Sequence, residues 1–140
     1  MTLTLEEPQL LRAQVYIDGH WCDADDHARL PVSNPATGDT IAEVARVGAG
    51  ETARAITAAA AAMPAWARRP AKERAAILRR WFDLLMQHQE DLARIMTAEQ
   101  GKPLAEARGE VAYGANYIEF FAEEAKRVYG DVIPGPAQDK

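Results

Sequence analysis

Residues 20–27, His20-Trp-Cys-Asp-Ala-Asp-Asp-His27, place a thiol, two imidazoles and three carboxylates within eight positions. His20 and Cys22 share one face of a short strand, and Asp25, Asp26 and His27 lie just beyond it. These are transition-metal ligand types, but their spacing matches no zinc pattern, and a structural zinc site wants four fixed ligands. As a nucleophile, Cys22 would need a base and an oxyanion site, and nothing nearby reads as a third group to orient His20. The stretch therefore reads as an acidic turn beside a half-buried thiol. The third histidine, His88, lies among Gln87, Gln89 and Glu90, where a solvated helix end accounts for it. No Ser/His/Asp order suggests a triad.

A second candidate is Gly48-Ala-Gly50-Glu-Thr-Ala53, which fits a dinucleotide fingerprint and passes from a strand into a helix. That chemistry also needs a parallel strand ending in an acidic residue about 20 positions on. The residues found there, Pro70-Ala-Lys-Glu-Arg-Ala75, open another helix, so a helix cap is the better reading. Glu123 and Glu124 point about 100° apart on a helix and cannot share a proton. Glu123 with Arg127 is expected as a surface pair. Tyr113, Tyr117 and Phe120 or Phe121 fall on one helical stripe. Buried phenols need partners, so the stripe is either core or the wall of a partly wet ligand channel.

The third candidate is Thr97-Ala-Glu-Gln-Gly-Lys-Pro103. Gly101 can close a helix in the left-handed conformation, and Pro103 is preset for the first turn of the next. Glu99 sits in the last turn of the first helix, where the dipole disfavours a carboxylate.

Elements that would position these residues follow from composition and period. With 140 residues, 48% hydrophobic and 26% charged, the chain is expected to form one domain with a real core. A net charge of −5 argues against nucleic-acid or anionic-membrane partners. The basic residues Arg68, Arg69, Lys72, Arg74, Arg79 and Arg80 read as a solvated helix face. A single cysteine excludes an internal disulfide. With no signal-peptide pattern and no membrane-length apolar run, a cytoplasmic protein is the expectation.

The fold expected is mixed α/β: a leader over 1–12, a β region over 13–47, a helical region over 50–130 and an exit linker over 131–140. Asp18-Gly19 should turn a hairpin between strands over 13–17 and 20–22. Residues 29–33 and 40–45 should be extended, with Pro31 keeping the former from a central position. Helices are expected at 50–63, stopped by Pro64, at 70–99, with a break or kink at 88–90, and at 103–129, capped by Gly130.

Thr97 to Pro103 contains Glu-Gln-Gly-Lys-Pro, which resembles the signature of the aldehyde dehydrogenase superfamily. Tyr16-Ile-Asp-Gly-His-Trp21, Asn34-Pro-Ala-Thr-Gly38, Ala71-Lys-Glu-Arg-Ala75 and Phe121-Ala-Glu-Glu-Ala125 are similar to further blocks of that family. The stretches 104–110 and 121–135 resemble more narrowly the succinate-semialdehyde and glutarate-semialdehyde dehydrogenases. Pro70 departs from relatives that carry a capping threonine there.

The resemblance implies an oxidoreductase. A cysteine thiolate attacks the aldehyde, hydride passes to NAD or NADP, and a glutamate-activated water releases the acid, as in 4-aminobutyrate degradation. In the family those residues and the cofactor-binding core lie downstream of the segment that this chain resembles. Cys22 does not inherit the nucleophile's role. The chain alone is therefore expected to be inactive and to bind neither NAD nor NADP. Its implied partners are the remaining cofactor and catalytic domains, within a homo-oligomer. The resemblance further places Tyr113, with Tyr117 one turn on, at the aldehyde entrance tunnel. It also places Glu99, with the carbonyls of Val32 and Ser33, at a monovalent-cation site, although a solvent-facing Glu99 is an equal expectation. The competing class is a stand-alone helical interaction module without catalysis.

Overall fold

In a computed structural model, which describes residues 3–137, the chain divides into β and helical parts as its period changes. Strands β1 (Val15–Ile17) and β2 (His20–Cys22) pair antiparallel with Tyr16 opposite Trp21. Asp18 and Gly19 both take positive φ, 50° and 82°, which is the conformation a two-residue turn between twisted strands requires. Strands β3 (Arg29–Ser33) and β4 (Thr40–Ala45) form a second antiparallel pair, irregular between Val32 and Ser33. With only two strands in that sheet, Pro31 sits in an edge strand, as its missing N–H demands. The Ala45 N–H donates to the Ala13 carbonyl at 2.8 Å, tying the second sheet to the start of the first hairpin.

Four α-helices follow: α1 (Ala49–Arg68), α2 (Ala71–Gln87), α3 (Gln89–Gln100) and α4 (Leu104–Glu124). Two of their ends correct the sequence expectation. Pro64 does not stop α1, which runs four residues past it. Alanines supply strong helix propensity on both sides of Pro64, and on this exposed face the Ala60 carbonyl that loses its partner can turn to water. The 70–99 stretch divides at His88, within the break expected at 88–90, so that His88 ends α2 and begins α3.

The last helix stops at Glu124, well short of Gly130. Beyond it Lys126 pairs with Glu123 and Arg127 with Glu124, each across three residues, replacing the expected Glu123–Arg127 pair. Val128, Tyr129, Val132 and Ile133 are all exposed, so no packing extends the helix over β-branched and aromatic residues.

The core is thin. Ala93, Ala107 and Val111 are buried where α3 meets α4, with Leu92, Met96 and Leu104 packed on them. Ala115 and Ala122 continue the inward stripe of α4, and Ile118 is half-buried. Among the described residues no large side chain is fully buried, contrary to the core expected at this length. Apolar periodicity had specified faces for the helices, and much of that apolar surface has no partner within these residues.

Close approach of α4 to its neighbours depends on its alanines. Ala115→Leu should therefore lower stability by about 1–3 kcal/mol through overpacking. Asn116→Leu, on the exposed side, should change it by about 0.5 kcal/mol or less. Urea midpoints at constant m-value check this, and equal midpoints for the two variants would mean that α4 does not pack through Ala115.

Candidate functional site

The face of α4 opposite its alanine stripe carries Tyr113, Tyr117 and Phe120, which are 62%, 51% and 57% exposed. Within the described residues nothing covers them. Tyr113 and Tyr117 are one helical turn apart, their rings edge-to-face at 5.1 Å and their hydroxyls hydrogen-bonded at 2.7 Å. That bond, followed by partial desolvation, holds the Tyr117 phenol above its ordinary pKa. Phe120 continues the face and stacks edge-on with Phe121 at 5.3 Å. The result is an exposed aromatic face with one polar strip and without a reactive group of its own.

Arg79 of α2 ties that helix to α4. Its guanidinium donates to Glu119 at 2.5 Å and to Glu123 at 3.3 Å.

The acidic stretch after β2 is spent on structure. Asp25 takes a two-pronged ion pair from Arg54, at 2.7 and 2.9 Å. Asp23 pairs with Arg29 at 2.8 Å, and Asp26 accepts the Ala28 N–H. His20 donates to the Asp18 carbonyl, and the half-buried Cys22 thiol to the Val15 carbonyl at 3.7 Å. Among the described residues no three ligand-type side chains converge on a point.

The Gly48 loop is a helix cap. Buried Glu51 accepts the N–H groups of Asp25 and Gly48, both at 3.0 Å, and so fastens the start of α1 to the end of the hairpin. Those bonds, Asp25's first, hold its carboxyl below the ordinary range. The strand before the loop pairs antiparallel, so no βαβ unit frames it.

Gly101 closes α3 at φ 76°, its N–H donating to the Thr97 carbonyl. A Cβ there would stand 3.1 Å from Pro35 Cγ, a tight contact added to the positive φ that favours glycine. Pro103 stands at the N-cap of α4, one position earlier than a first-turn proline.

Glu99 is exposed and lines an apolar groove between α3 and α4 with Gln100 and Glu110. Val32 and Ser33 lie on β3, just ahead of the Asn34 turn, and Asn34 and Thr97 line a second groove. Sequence reasoning missed Asp91, which is buried and accepts two backbone N–H groups from the leader. Its only sequence signal was acidity in the first turn of a helix.

Through Pro35 and Gly101, the Asn-Pro-Ala-Thr-Gly turn rests directly on the Glu-Gln-Gly-Lys-Pro joint. The sequence profile of the aldehyde dehydrogenase family matches residues 21–140, which includes both segments. The chain belongs to that family. It is 59% identical over 138 residues to glutarate-semialdehyde dehydrogenase of Pseudomonas putida, covering 99% of this chain and 29% of that protein. It is 56% identical, with the same coverage, to the NADP(+) succinate-semialdehyde dehydrogenase of Escherichia coli. The crystal structure of succinate-semialdehyde dehydrogenase from Burkholderia pseudomallei superposes with a TM-score of 0.93 at 57% identity, covering 96% of this chain and 28% of that one. The chain thus spans less than a third of the length of these relatives and has the fold of their N-terminal portion. No helix among the described residues is long and apolar enough to cross a membrane.

Proposed function

We propose that this chain supplies the N-terminal part of an NAD(P)-dependent aldehyde dehydrogenase that oxidises succinate semialdehyde to succinate. The observation that carries the reading is a family fold whose aromatic face on α4 stands uncovered. An entrance wall has that form when the reacting groups belong to other domains. In this reading Tyr113 and Tyr117 line the aldehyde's approach, their linked hydroxyls offering hydrogen bonds to the substrate's carbonyl or carboxylate as it passes. NAD or NADP would be held by the cofactor domain and would supply the hydride acceptor.

Glu99, with the carbonyls of Val32 and Ser33, is proposed to hold a monovalent cation once other ligands are supplied. Its donor set is all oxygen, which suits a hard cation, and its carboxylate forms no ion pair among the described residues. A cation there would also offset the unfavourable helix dipole.

Glutarate semialdehyde is the second reading, favoured by the 59% identity to the Pseudomonas putida relative. The two substrates differ by one methylene, which is worth roughly a 10- to 200-fold preference in a fitted pocket.

Co-expression with the remaining part of the Escherichia coli relative tests the reading. The complex should reduce NADP or NAD with succinate semialdehyde, and Tyr113→Ala with Tyr117→Ala should lower kcat/KM by roughly tenfold. Exchange of Na+ or K+ for choline should destabilise the complex, and Glu99→Gln should remove that dependence. A stable complex inactive towards both semialdehydes would reject the function. Insensitivity to cation would reject the Glu99 assignment alone.

A further inference from the structure

The first described residues do not trail from the fold. They cross the start of α3, where the Asp91 side chain, 85 positions from Glu6 and 84 from Glu7, fastens them. Asp91 is 3% exposed. One carboxylate oxygen accepts the Glu6 N–H at 3.0 Å and the other the Glu7 N–H at 2.8 Å. One turn on, Arg94 donates to the Thr4 carbonyl at 3.2 Å. Arg94 is itself held by Glu90 at 3.1 Å, and Glu90 in turn is gripped by Arg108 of α4 at 2.7 and 3.1 Å. A chain of charge-assisted bonds therefore runs from α4 through α3 to the leader.

Leu3 and Thr4, at the held end of the leader, form one wall of a groove of about 830 Å³. The facing walls are Ile41 of β4, Thr97 and Ala98 of α3, and Leu104 of α4. The Thr97 hydroxyl in that wall is buried and has no hydrogen-bond partner, an arrangement with a desolvation cost. Further along, Leu10 and Arg12 reach the α2–α3 joint at Gln87 and His88, and Arg12 stacks over the Trp21 ring at 4.9 Å.

We propose that residues 3–12 are a strap, latched by Asp91 and Arg94, that serves as a releasable lid on the groove between α3 and the β3–β4 pair. The latch joins backbone groups of the leader to the Asp91 and Arg94 side chains, whereas the helices beneath pack through Ala93, Ala107 and Val111. The strap can therefore open as a local unit while α3 and α4 stay packed. Opening it uncovers the Thr97 hydroxyl and the apolar wall around Leu104.

Asp91→Asn tests the latch, because the amide keeps one acceptor and turns a donor towards the other N–H. Native-state hydrogen exchange of the 140-residue chain should show the Glu6 and Glu7 amides opening on the order of tenfold faster or more. The Val111 and Ala115 amides should keep their rates. Arg94→Gln should give the same pattern more weakly, with trypsin cutting faster after Arg12. The lid is read separately: in Cys22→Ser/Thr97→Cys, the new thiol should react several-fold faster with a maleimide when Asp91→Asn is added. Unchanged Glu6 and Glu7 exchange overturns the latch. So does acceleration spread equally to Val111 and Ala115 in both variants. An unchanged labelling rate at position 97 overturns the lid.

Discussion

Purified alone, the 140-residue chain should reduce neither NAD nor NADP with succinate semialdehyde above a blank. Aldehyde oxidation of this kind needs a thiolate, a general base and oxyanion donors within hydrogen-bond reach of one carbon. Cys22 is the chain's one thiol, and it sits half-buried on β2, directed at the Val15 carbonyl. His20, two residues away, is committed to the Asp18 carbonyl, and the neighbouring carboxylates are engaged by Arg29, Arg54 and a backbone N–H. Among the described residues, no base or set of donors is arranged around that thiol for a developing oxyanion. The expected effect is the whole of the activity, since loss of the nucleophile and base in enzymes of covalent mechanism removes many orders of magnitude. Cofactor reduction by the purified chain that Cys22→Ser abolishes would overturn this.

The second large effect concerns association. Tyr113, Tyr117 and Phe120 present an aromatic face along more than a turn of α4, and Trp81 and Ile77 of α2 are exposed as well. Surface of this kind marks an interface or an aggregation liability. The isolated chain should self-associate at micromolar concentration and enhance the fluorescence of a hydrophobic dye. Tyr113→Ser/Tyr117→Ser/Phe120→Ser should lower the dye signal several-fold while leaving the far-ultraviolet circular dichroism intact, because none of the three is buried. A monodisperse chain, silent to the dye, would instead favour an autonomous interaction module.

Which parts of this architecture are legible in the sequence depends on how locally they are determined. The Asp18-Gly19 hairpin, the Gly101 helix end and the division at His88 each rest on the chemistry of a few adjacent residues, and each is found where those residues stand. Glu51 was visible as an acidic first-turn residue, but its bond to Asp25, 26 positions back, was not. The Asp91 latch joins residues more than 80 apart and leaves no periodic trace.

Pro64 misled because a single penalty of about 3 kcal/mol was set against no sum of alanine propensities on an exposed helix. The end of α4 was misplaced for the opposite reason: Gly130 offered a cap, but nothing packs on residues 128–133 to carry the helix that far. Hydrophobic period identified the aromatic stripe and could not say whether it was core or wall. That distinction depends on what else is present to cover it. Motif resemblance gave the family, because glycine and proline signatures such as those meeting at Gly101 and Pro35 record backbone geometry that few other residues permit.

The central claim is that the α4 aromatic face is where this chain completes an aldehyde dehydrogenase, and hydroxyl-radical footprinting tests it most directly. Oxidation of Tyr113, Tyr117 and Phe120 would be compared between the chain alone and its active complex with the remaining part of a relative. The account predicts strong labelling of all three in the isolated chain and a several-fold fall in the complex. An active complex in which the three remain as reactive as in the chain alone would contradict it.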